Sequence, residues 1–146
     1  MQKVSRTVVL LAILIAPVSV VSPVVTAQTS EIRALWVQRG SLLSPSSIIA
    51  VVDTAKSGGF NTLIVQVRGR GDAYYNSRHE PRSPLLAKQP SSFDPLDLMV
   101  QRAHRAGLKV HAWVNVNLIS DAEPPRARKH IVYTHPEWLM VPRTIA

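Results

Sequence analysis

The stretch Asn61-Thr-Leu-Ile-Val-Gln-Val-Arg68 decides the fold class of this chain. Its dense run of Leu, Ile and Val predicts a strand that is buried on both faces, as strands of parallel sheets are. A parallel neighbour needs a crossover connection, which is usually a helix. We therefore expect strands and helices to alternate on either side of this stretch.

A strand and a helix are predicted before it. Glu31–Arg39 alternates its side chains and is rich in Ile, Leu, Trp and Val, which is typical of a strand. Ser44-Pro45 then supplies an N-cap with a first-turn proline, and Gly58-Gly59 supplies a helix stop. The link between the first two strands is thus predicted to be a crossover helix.

The same order continues after residue 68. A second helix is predicted from Asp94-Pro95, with Asp97 at the position that a capping box gives to an acid, and it ends before Gly107. Lys109–Val116 follows as a third strand, and His135-Pro136-Glu137-Trp138 resembles the start of another helix. The predicted class is α/β, with a parallel sheet and right-handed crossovers.

The amino terminus has the pattern of a secretory signal. Lys3 and Arg6 precede an apolar run from Val8 to Ala16, and small residues lead to a predicted cleavage after Ala27. Prolines interrupt the continuation, which argues against the alternative of a retained membrane anchor. We expect residues 1–27 to be a signal peptide, residues 28–146 to be exported to the periplasm or the cell exterior, and no stable membrane span to remain after cleavage.

The 146 residues carry 17 basic and 9 acidic side chains, for a formal charge of +8, and no cysteine. Removing Lys3 and Arg6 with the signal leaves 15 against 9, or +6. The absence of cysteine excludes a disulfide framework. Because the chain is expected to be exported, we expect its polyanionic partner to be an anionic polymer of the cell envelope and not nucleic acid. The positive charge would also be explained if this chain carries only part of the surface of a larger domain, and that part is richer in basic residues than the whole.

One connection is unusually long. Between the second strand and the second helix lie the 25 residues from Gly69 to Phe93, whereas such links usually run about 2–6 residues. In parallel α/β folds, ligands bind beyond the carboxyl ends of the strands, where this loop begins. The loop 117–129 after the third strand leaves from the same end. These loops are the predicted site.

Polar side chains are predicted at all three strand ends, namely Gln38, Arg68 and Asn115. Alternation places His111, Trp113 and Asn115 on one face of the third strand, and the valines and alanine at 110, 112, 114 and 116 on the face that packs under helices. The polar ends could line a site, or they could satisfy one another in a buried polar layer.

The long loop opens with Arg68-Gly-Arg-Gly-Asp72-Ala-Tyr-Tyr75. Arginines can clamp oxygen-rich ligands, and a tyrosine offers a flat face to a sugar ring. Asp72 could act in the site, but a turn-capping or ion-pairing carboxylate is the simpler interpretation. The Gly-x-Gly fragment lacks the third glycine of a dinucleotide fingerprint, and no metal-ligand spacing occurs, so we expect neither cofactor nor metal.

A set of short motifs, in order along residues 31–142, resembles the glycosyl-hydrolase-like family 10. The motifs are Glu31-Ile-Arg-Ala-Leu-Trp36, Gly59-Phe-Asn61, Gln66-Val-Arg68, Arg70-Gly-Asp72-Ala-x-Tyr75-x-Ser77, Asp94-Pro-Leu96, Ala103-His104-x-x-Gly107, His111-Ala-Trp113-x-Asn115 and His135-Pro-Glu-Trp138. Two positions depart from the family pattern, because Gly69 and Val116 stand where many members carry proline.

The resemblance implies a (β/α)8 TIM-type barrel of the bacterial envelope, of which this chain carries roughly the first two to three βα units. It also implies wall glycan, or another polysaccharide, as the partner. The family's aspartate-rich strand-four motif would lie beyond Ala146, so the catalytic pair is expected there, with Asp72 as a weak candidate within the chain. The chain alone is expected to be inactive, because a glycosidase of the usual kind needs two carboxyl groups.

Six residues are predicted to line the substrate cleft: Gln38, Arg68, Asp72, Tyr75, Trp113 and Asn115. Arg68 and Asn115 would bond to sugar hydroxyl or acetamido groups, Tyr75 would stack on a ring and Trp113 would form the floor. Two alternatives stay open, namely a glycan-binding barrel without catalysis and a truncated product that does not fold stably. The sequence leaves the oligomeric state open.

Overall fold

The computed structural model describes residues 31–140 and Thr144. A parallel sheet has the order β1-β2-β3, with register partners Trp36 and Ile64 in one pair and Ile64 and His111 in the next. The bounds are β1 Ala34–Val37, α1 Pro45–Ser57, β2 Thr62–Arg68, α2 Pro95–Arg105, β3 Lys109–Val114 and α3 Ile131–Thr134. Short 3₁₀ turns lie at Arg39–Leu42, Pro84–Leu86 and Pro136–Trp138. The predicted α/β class is confirmed.

Local signals explain where the two long helices begin. The Ser44 hydroxyl accepts a hydrogen bond from the Ser47 amide at 3.1 Å, and the Ser47 hydroxyl accepts one from the Ser44 amide at 3.2 Å, which completes a capping box. The Asp94 carboxylate caps α2 by accepting from the Asp97 amide at 3.0 Å. The Asp97 side chain does not return to the cap, since it accepts from Gln101 Nε2 at 2.7 Å.

The core forms between one face of the sheet and the two helices. From β2, the buried side chains of Leu63, Val65 and Val67 belong to the same cluster as Ile48 of α1 and Met99 of α2. Alternation gives the opposite face of β2 to Thr62, Ile64, Gln66 and Arg68, of which Thr62 and Gln66 are also buried. The central strand is therefore largely buried on both faces, as its composition predicts.

The outer strands are shorter than their sequence patterns suggest. Asn61 holds the chain before β1 through its side chain, accepting from the Arg33 amide at 3.0 Å and donating to the Glu31 carbonyl at 2.6 Å. At the other end, the Gln38 carbonyl accepts from the Ser41 amide at 2.9 Å and starts a 3₁₀ turn. β1 is consequently limited to Ala34–Val37.

The third strand also differs from the expected 109–116. The ladder shifts register between Gln66 and Arg68, and β3 ends at Val114. Val110 packs against the core, but Val114 is 46% exposed and Val116 is 70% exposed. Nothing else in the described part of the chain covers this end of the edge strand, so the predicted packing of the whole valine set under helices is wrong beyond Val110.

Two further predictions concern the chain termini. Residues 1–27, the predicted signal peptide, lie outside the described residues. Across the range 31–140, no helix combines the length and the apolar character needed to cross a bilayer. The predicted helix start at His135 is a 3₁₀ turn over Pro136–Trp138, and it follows the short helix α3.

Candidate functional site

An open cavity of about 400 Å³ lies at the carboxyl ends of the strands. Its walls come from the turn after β1, the long loop after β2 and the loop after β3, which are the loops in which the sequence predicts a site. Its lining includes Arg39, Arg70, Asp72, Tyr74, Ser83 and His130.

The first turn of the long loop is built around Asp72. The Asp72 Oδ1 atom accepts from the Arg70 amide at 2.7 Å, and the Asp72 carbonyl accepts from the Gly69 amide at 3.1 Å. A Cβ on Gly69 would lie 2.6 Å from Asp72 Oδ1 and 2.9 Å from Arg39 Nη1, so a larger residue there would require these side chains to shift. Proline at position 69 would also lack the donated N–H. Asp72 therefore has the turn-capping role that its simpler interpretation gives it, while also lining the cavity.

Gly71 and His130 form a tight contact between two loops. Gly71 has a φ of +67°, and a Cβ there would lie 2.6 Å from His130 Nε2. The imidazole is buried: its Nε2 atom lies 2.7 Å from the Arg70 carbonyl oxygen, and its Nδ1 atom accepts from the Val132 amide at 3.2 Å. Since Nδ1 accepts, Nε2 carries the proton and donates.

The rest of the long loop is held by backbone bonds that bring Tyr74 beside Ser83. The Tyr74 amide donates to the Val67 carbonyl at 2.9 Å, which keeps Tyr74 against the sheet. Ala73 connects to the returning chain, donating to the Pro81 carbonyl and accepting from the Ser83 amide, both at 2.9 Å. The loop therefore folds back on itself as an ordered wall of the cavity.

Arg68 is a clamp between three segments. Its Nε atom donates to the Glu80 carboxylate, and its Nη1 atom donates to the carbonyl oxygens of Asn115 and Val116. The Arg68 and Glu80 side chains are only 11% and 18% exposed, so this is a largely buried ion pair. The Nη2 atom of the Arg68 guanidinium takes part in none of these bonds, so the predicted contact with sugar would be made by Nη2.

The other predicted site residues lie in different surroundings. Gln38 is exposed at the start of the turn after β1, and Tyr75 is half-buried against the core. Asn115 is half-buried, and its side-chain amide makes no hydrogen bond to any residue in the described ranges. Gln66, the other polar residue at the end of β2, is buried and accepts from the Arg39 amide at 3.4 Å.

Trp113 lies in an aromatic pair with Trp36. The ring centroids are 5.1 Å apart, with an interplanar angle of 89°, which is an edge-to-face arrangement. Trp36 is 62% exposed, and both rings lie on the sheet face opposite the helices. Trp36 is absent from the predicted cleft residues, although strand alternation already places it on the same face as Gln38.

The cavity contains charged groups of both signs. Arg70 Nη1 lies 3.1 Å from Asp121 Oδ2, and Asp72 and Glu123 are the other carboxylates in the wall. Burial raises the pKa of the Tyr74 phenol, and the neighbouring Ser83 hydroxyl offsets part of that rise. Within residues 31–140, no group of three or more acidic or histidine side chains is placed to hold a metal ion.

Sequence reasoning missed several of the wall residues. Arg39, Tyr74, Ser83 and His130 line the cavity, yet each lies in a loop whose path a strand or helix pattern does not determine. The sequence feature that indicates this packing is the pair of glycines around Arg70, because glycine allows other groups to approach the backbone closely.

Comparison with known proteins identifies the relationship. The family model described as Glycosyl hydrolase-like 10 matches residues 31–144, which is most of the chain. The chain belongs to this family. The matched region begins at Glu31, the first residue that the structure describes, and it includes all three strands and every wall of the cavity. The parallel three-stranded sheet agrees with the start of a TIM-type barrel.

Two relatives are similar over most of the chain. Glycosyl hydrolase YngK of Bacillus subtilis (strain 168) is 31% identical over 137 residues, covering 75% of this chain and 25% of that protein. Glycosyl hydrolase DigH of Escherichia coli (strain K12) is 31% identical over 121 residues, covering 67% of this chain and 28% of that protein. The chain thus spans about a quarter of the length of these curated relatives.

Proposed function

We propose that this chain forms the first part of a (β/α)8 glycoside hydrolase barrel that acts on bacterial wall glycan. The observation that carries the proposal is the cavity at the carboxyl ends of three parallel strands, where barrel enzymes bind their substrates. Membership of this family and the names of both relatives, which are glycosyl hydrolases, support hydrolysis of a glycosidic bond.

On the sheet face opposite the helices, which would face the barrel interior, the carboxyl ends of the strands carry side chains that suit a glycan. The exposed ring of Trp36 and the half-buried ring of Trp113 lie beside the polar residues Gln66 and Asn115. Flat aromatic faces pack against sugar rings, and the amides can bond to hydroxyl or acetamido groups. We propose that Gln38, Asn115 and Arg68 Nη2 contribute polar contacts and that Tyr75 and Trp113 contribute apolar ones.

Hydrolysis requires a pair of carboxyl groups, one as acid and one as nucleophile or base. Asp72, Asp121 and Glu123 line the cavity, but Asp121 is paired with Arg70 and Asp72 accepts the Arg70 amide. We propose that residues beyond Ala146 complete the pair and that the protein is exported through the signal at residues 1–27. Export to the envelope would bring the site to its substrate.

A glycan-binding protein without catalysis is the second candidate. Its specific support is that Glu80 and Asp121 are each already engaged in an ion pair, with Arg68 and Arg70 respectively. Release of reducing ends from wall glycan would favour the enzyme, and saturable binding without release would favour the binder.

The experiment that tests glycan binding measures co-sedimentation of the protein with purified wall glycan strands from which the peptides have been removed. Trp36→Ala and Trp113→Ala should each weaken binding severalfold, because each removes an aromatic ring near the carboxyl end of its strand. Trp138→Ala is the matched control, since Trp138 is 61% exposed but lies in the turn after α3. Equal binding by all three variants would refute the proposed cleft.

A further inference from the structure

A group of basic side chains lies at the amino ends of the strands, at the end of the sheet opposite the cavity. The helices run back between parallel strands, so the last turns of α1 and α2 lie beside the starts of β2 and β3. The group, here called the basic pole, consists of the exposed residues Arg33, Lys56, Arg102, Arg105 and Lys109.

Contacts between the backbone segments bring these cations to one surface. The Arg33 Nε atom donates to the Gly59 carbonyl at 2.6 Å, which holds the approach to β1 against the turn after α1. A Cβ on Gly107, in the turn after α2, would lie 3.8 Å from Lys56 Nζ. The segments before β1, at the end of α1 and at the end of α2 therefore adjoin one another.

Few carboxylates oppose the charge of the basic pole. Glu31 and Asp53 are the acidic residues at this end, so five cations leave an excess of three positive charges. Only Arg33 among the five has a carboxylate partner in residues 31–140, namely Glu31 at 3.2 Å. The rest of that range carries nine basic and seven acidic side chains, an excess of two. More than half of the positive excess is thus concentrated at one end.

The helix dipoles explain only part of this concentration. Cations in the last turn of a helix interact favourably with its carboxyl end, and Lys56, Arg102 and Arg105 are so placed. Arg33 and Lys109 lie outside the helices, however, and add to the same surface. A surface that gathers cations from helix ends and strand starts is suited to an extended anion.

The apolar content of the basic pole argues against a membrane as that anion. Surfaces that dock on bilayers combine cations with apolar side chains that enter the lipid. Among the exposed large apolar side chains of residues 31–140, Ile32 alone belongs to this end, and single exposed apolar residues are ordinary. Charge without an apolar patch favours an anion that is bound from solution.

We propose that the basic pole binds a flexible polymer whose repeating units carry phosphate groups. This binding surface is separate from the cavity and goes beyond the proposed hydrolysis. Guanidinium and ammonium groups both bind phosphate, and a chain of phosphates can reach cations that separate elements carry. The bound polymer would hold the protein by one end and leave the cavity at the other end open to its substrate.

The test measures the affinity of the purified protein for long-chain inorganic polyphosphate by isothermal titration calorimetry. Orthophosphate should bind at least about tenfold more weakly, because it engages few of the cations at once. Raising the ionic strength from about 0.1 M to about 1 M shortens the Debye length from about 10 Å to about 3 Å, so the affinity for polyphosphate should fall at least about tenfold.

A triple variant, Lys56→Gln with Arg102→Gln and Arg105→Gln, removes three cations of the basic pole and keeps residues that favour a helix. Its affinity for polyphosphate should fall at least about tenfold, since each basic residue contributes to attraction by an anionic surface. Its co-sedimentation with peptide-free wall glycan should be unchanged, because the cavity lies at the other end of the sheet.

The control is a second triple variant with the same change of net charge, Arg78→Gln with Lys88→Gln and Lys129→Gln. These three cations are exposed in the loops after β2 and β3, outside the cavity wall and away from the basic pole. Charges farther apart than the Debye length are largely screened, so this variant should keep most of the affinity for polyphosphate.

The remaining outcomes would overturn the proposal. Equal losses in the two triple variants would show attraction to the net charge of the whole protein. Binding to phosphatidylglycerol vesicles without binding to polyphosphate would show a membrane-docking surface instead. An affinity that does not fall with ionic strength would also refute it, and that measurement uses the unaltered protein. Loss of glycan binding alone would count against the proposed function and leave the basic pole in place.

Discussion

The buried imidazole of His130 donates from Nε2 to the carbonyl oxygen of Arg70 over 2.7 Å. This bond joins the loop after β3 to the loop after β2, across 60 residues of sequence. The ring rests on Gly71, and both of its nitrogens are occupied. Two walls of the cavity are thus fixed to each other by one side chain.

Gly71→Ala should destabilise the protein for two reasons. A left-handed conformation costs a residue with a Cβ about 1–2 kcal/mol, and the new methyl group would overlap the His130 ring. Gly59→Ala is the matched control, since Gly59 has a φ of +75° but a Cβ added there would meet no atom within 4 Å. Urea unfolding should show Gly71→Ala to be worse than Gly59→Ala by at least about 1 kcal/mol. Equal losses would show that the ring moves aside freely.

Glu80→Gln should weaken the clamp around Arg68. The carboxylate lies in a largely buried pair, so its neutralisation should lower the free energy of unfolding by about 2 kcal/mol. Glu31→Gln is the control, because Glu31 also pairs with an arginine, Arg33 at 3.2 Å, but is 77% exposed. Its change should stay below about 0.5 kcal/mol. Similar small effects for both would show that the Arg68 pair is solvated.

Asn115→Ala should separate binding from stability. The Asn115 side chain makes no hydrogen bond to the described residues, and only its backbone carbonyl meets Arg68. The free energy of unfolding should therefore change by less than about 0.5 kcal/mol, while affinity for wall glycan falls. Chemical denaturation and co-sedimentation measure the two quantities. Unchanged glycan affinity would remove Asn115 from the cleft.

The alkaline stability of the protein should depend on Tyr74. Burial raises the pKa of this phenol above its ordinary value of 10.0, so the folded state keeps its proton at pH values where the unfolded chain loses it. The stabilisation is complete below the unfolded pKa and is lost as the pH rises from about 10 through the folded pKa. Urea unfolding from pH 8 upward should show this loss beginning near that value.

Tyr74→Phe should remove that part of the alkaline loss, because no phenol remains to ionise at this position. Tyr133→Phe is the control, since Tyr133 is 36% exposed and should leave the alkaline loss in place. If the curves of the original protein and Tyr74→Phe coincide across the alkaline range, ionisation of Tyr74 does not limit stability there.

Trp36 and Trp113 should be energetically coupled. An edge-to-face pair contributes about 0.5–1.5 kcal/mol beyond its buried area. A double-mutant cycle with Trp36→Ala and Trp113→Ala, followed by urea unfolding, should return a coupling of that size. The cycle with Trp36→Ala and Trp138→Ala should be additive, because Trp138 stacks instead on His135. Additivity in both cycles would mean that the Trp36 and Trp113 rings do not stabilise each other.

The sequence by itself determined the order and type of the main elements. Alternation, proline and glycine signals place β2 within one residue of its observed bounds, and Ser44 and Asp94 cap the two long helices. These signals are local, because capping and strand periodicity depend on neighbouring residues. The position of the cavity also followed, since the loops after parallel strands emerge at one end of the sheet.

Only the tertiary structure decided what the loop residues do. The sequence assigns Arg68 to a ligand, yet its Nε and Nη1 atoms bond to Glu80, Asn115 and Val116. Likewise, Tyr74 is fully buried while Tyr75 is half-buried, although the two are adjacent. Partners separated by up to 60 residues, as His130 is from Arg70, depend on how the loops pack. Such contacts leave no periodic pattern in the sequence, so hydrogen bonding and burial in the folded chain decide them.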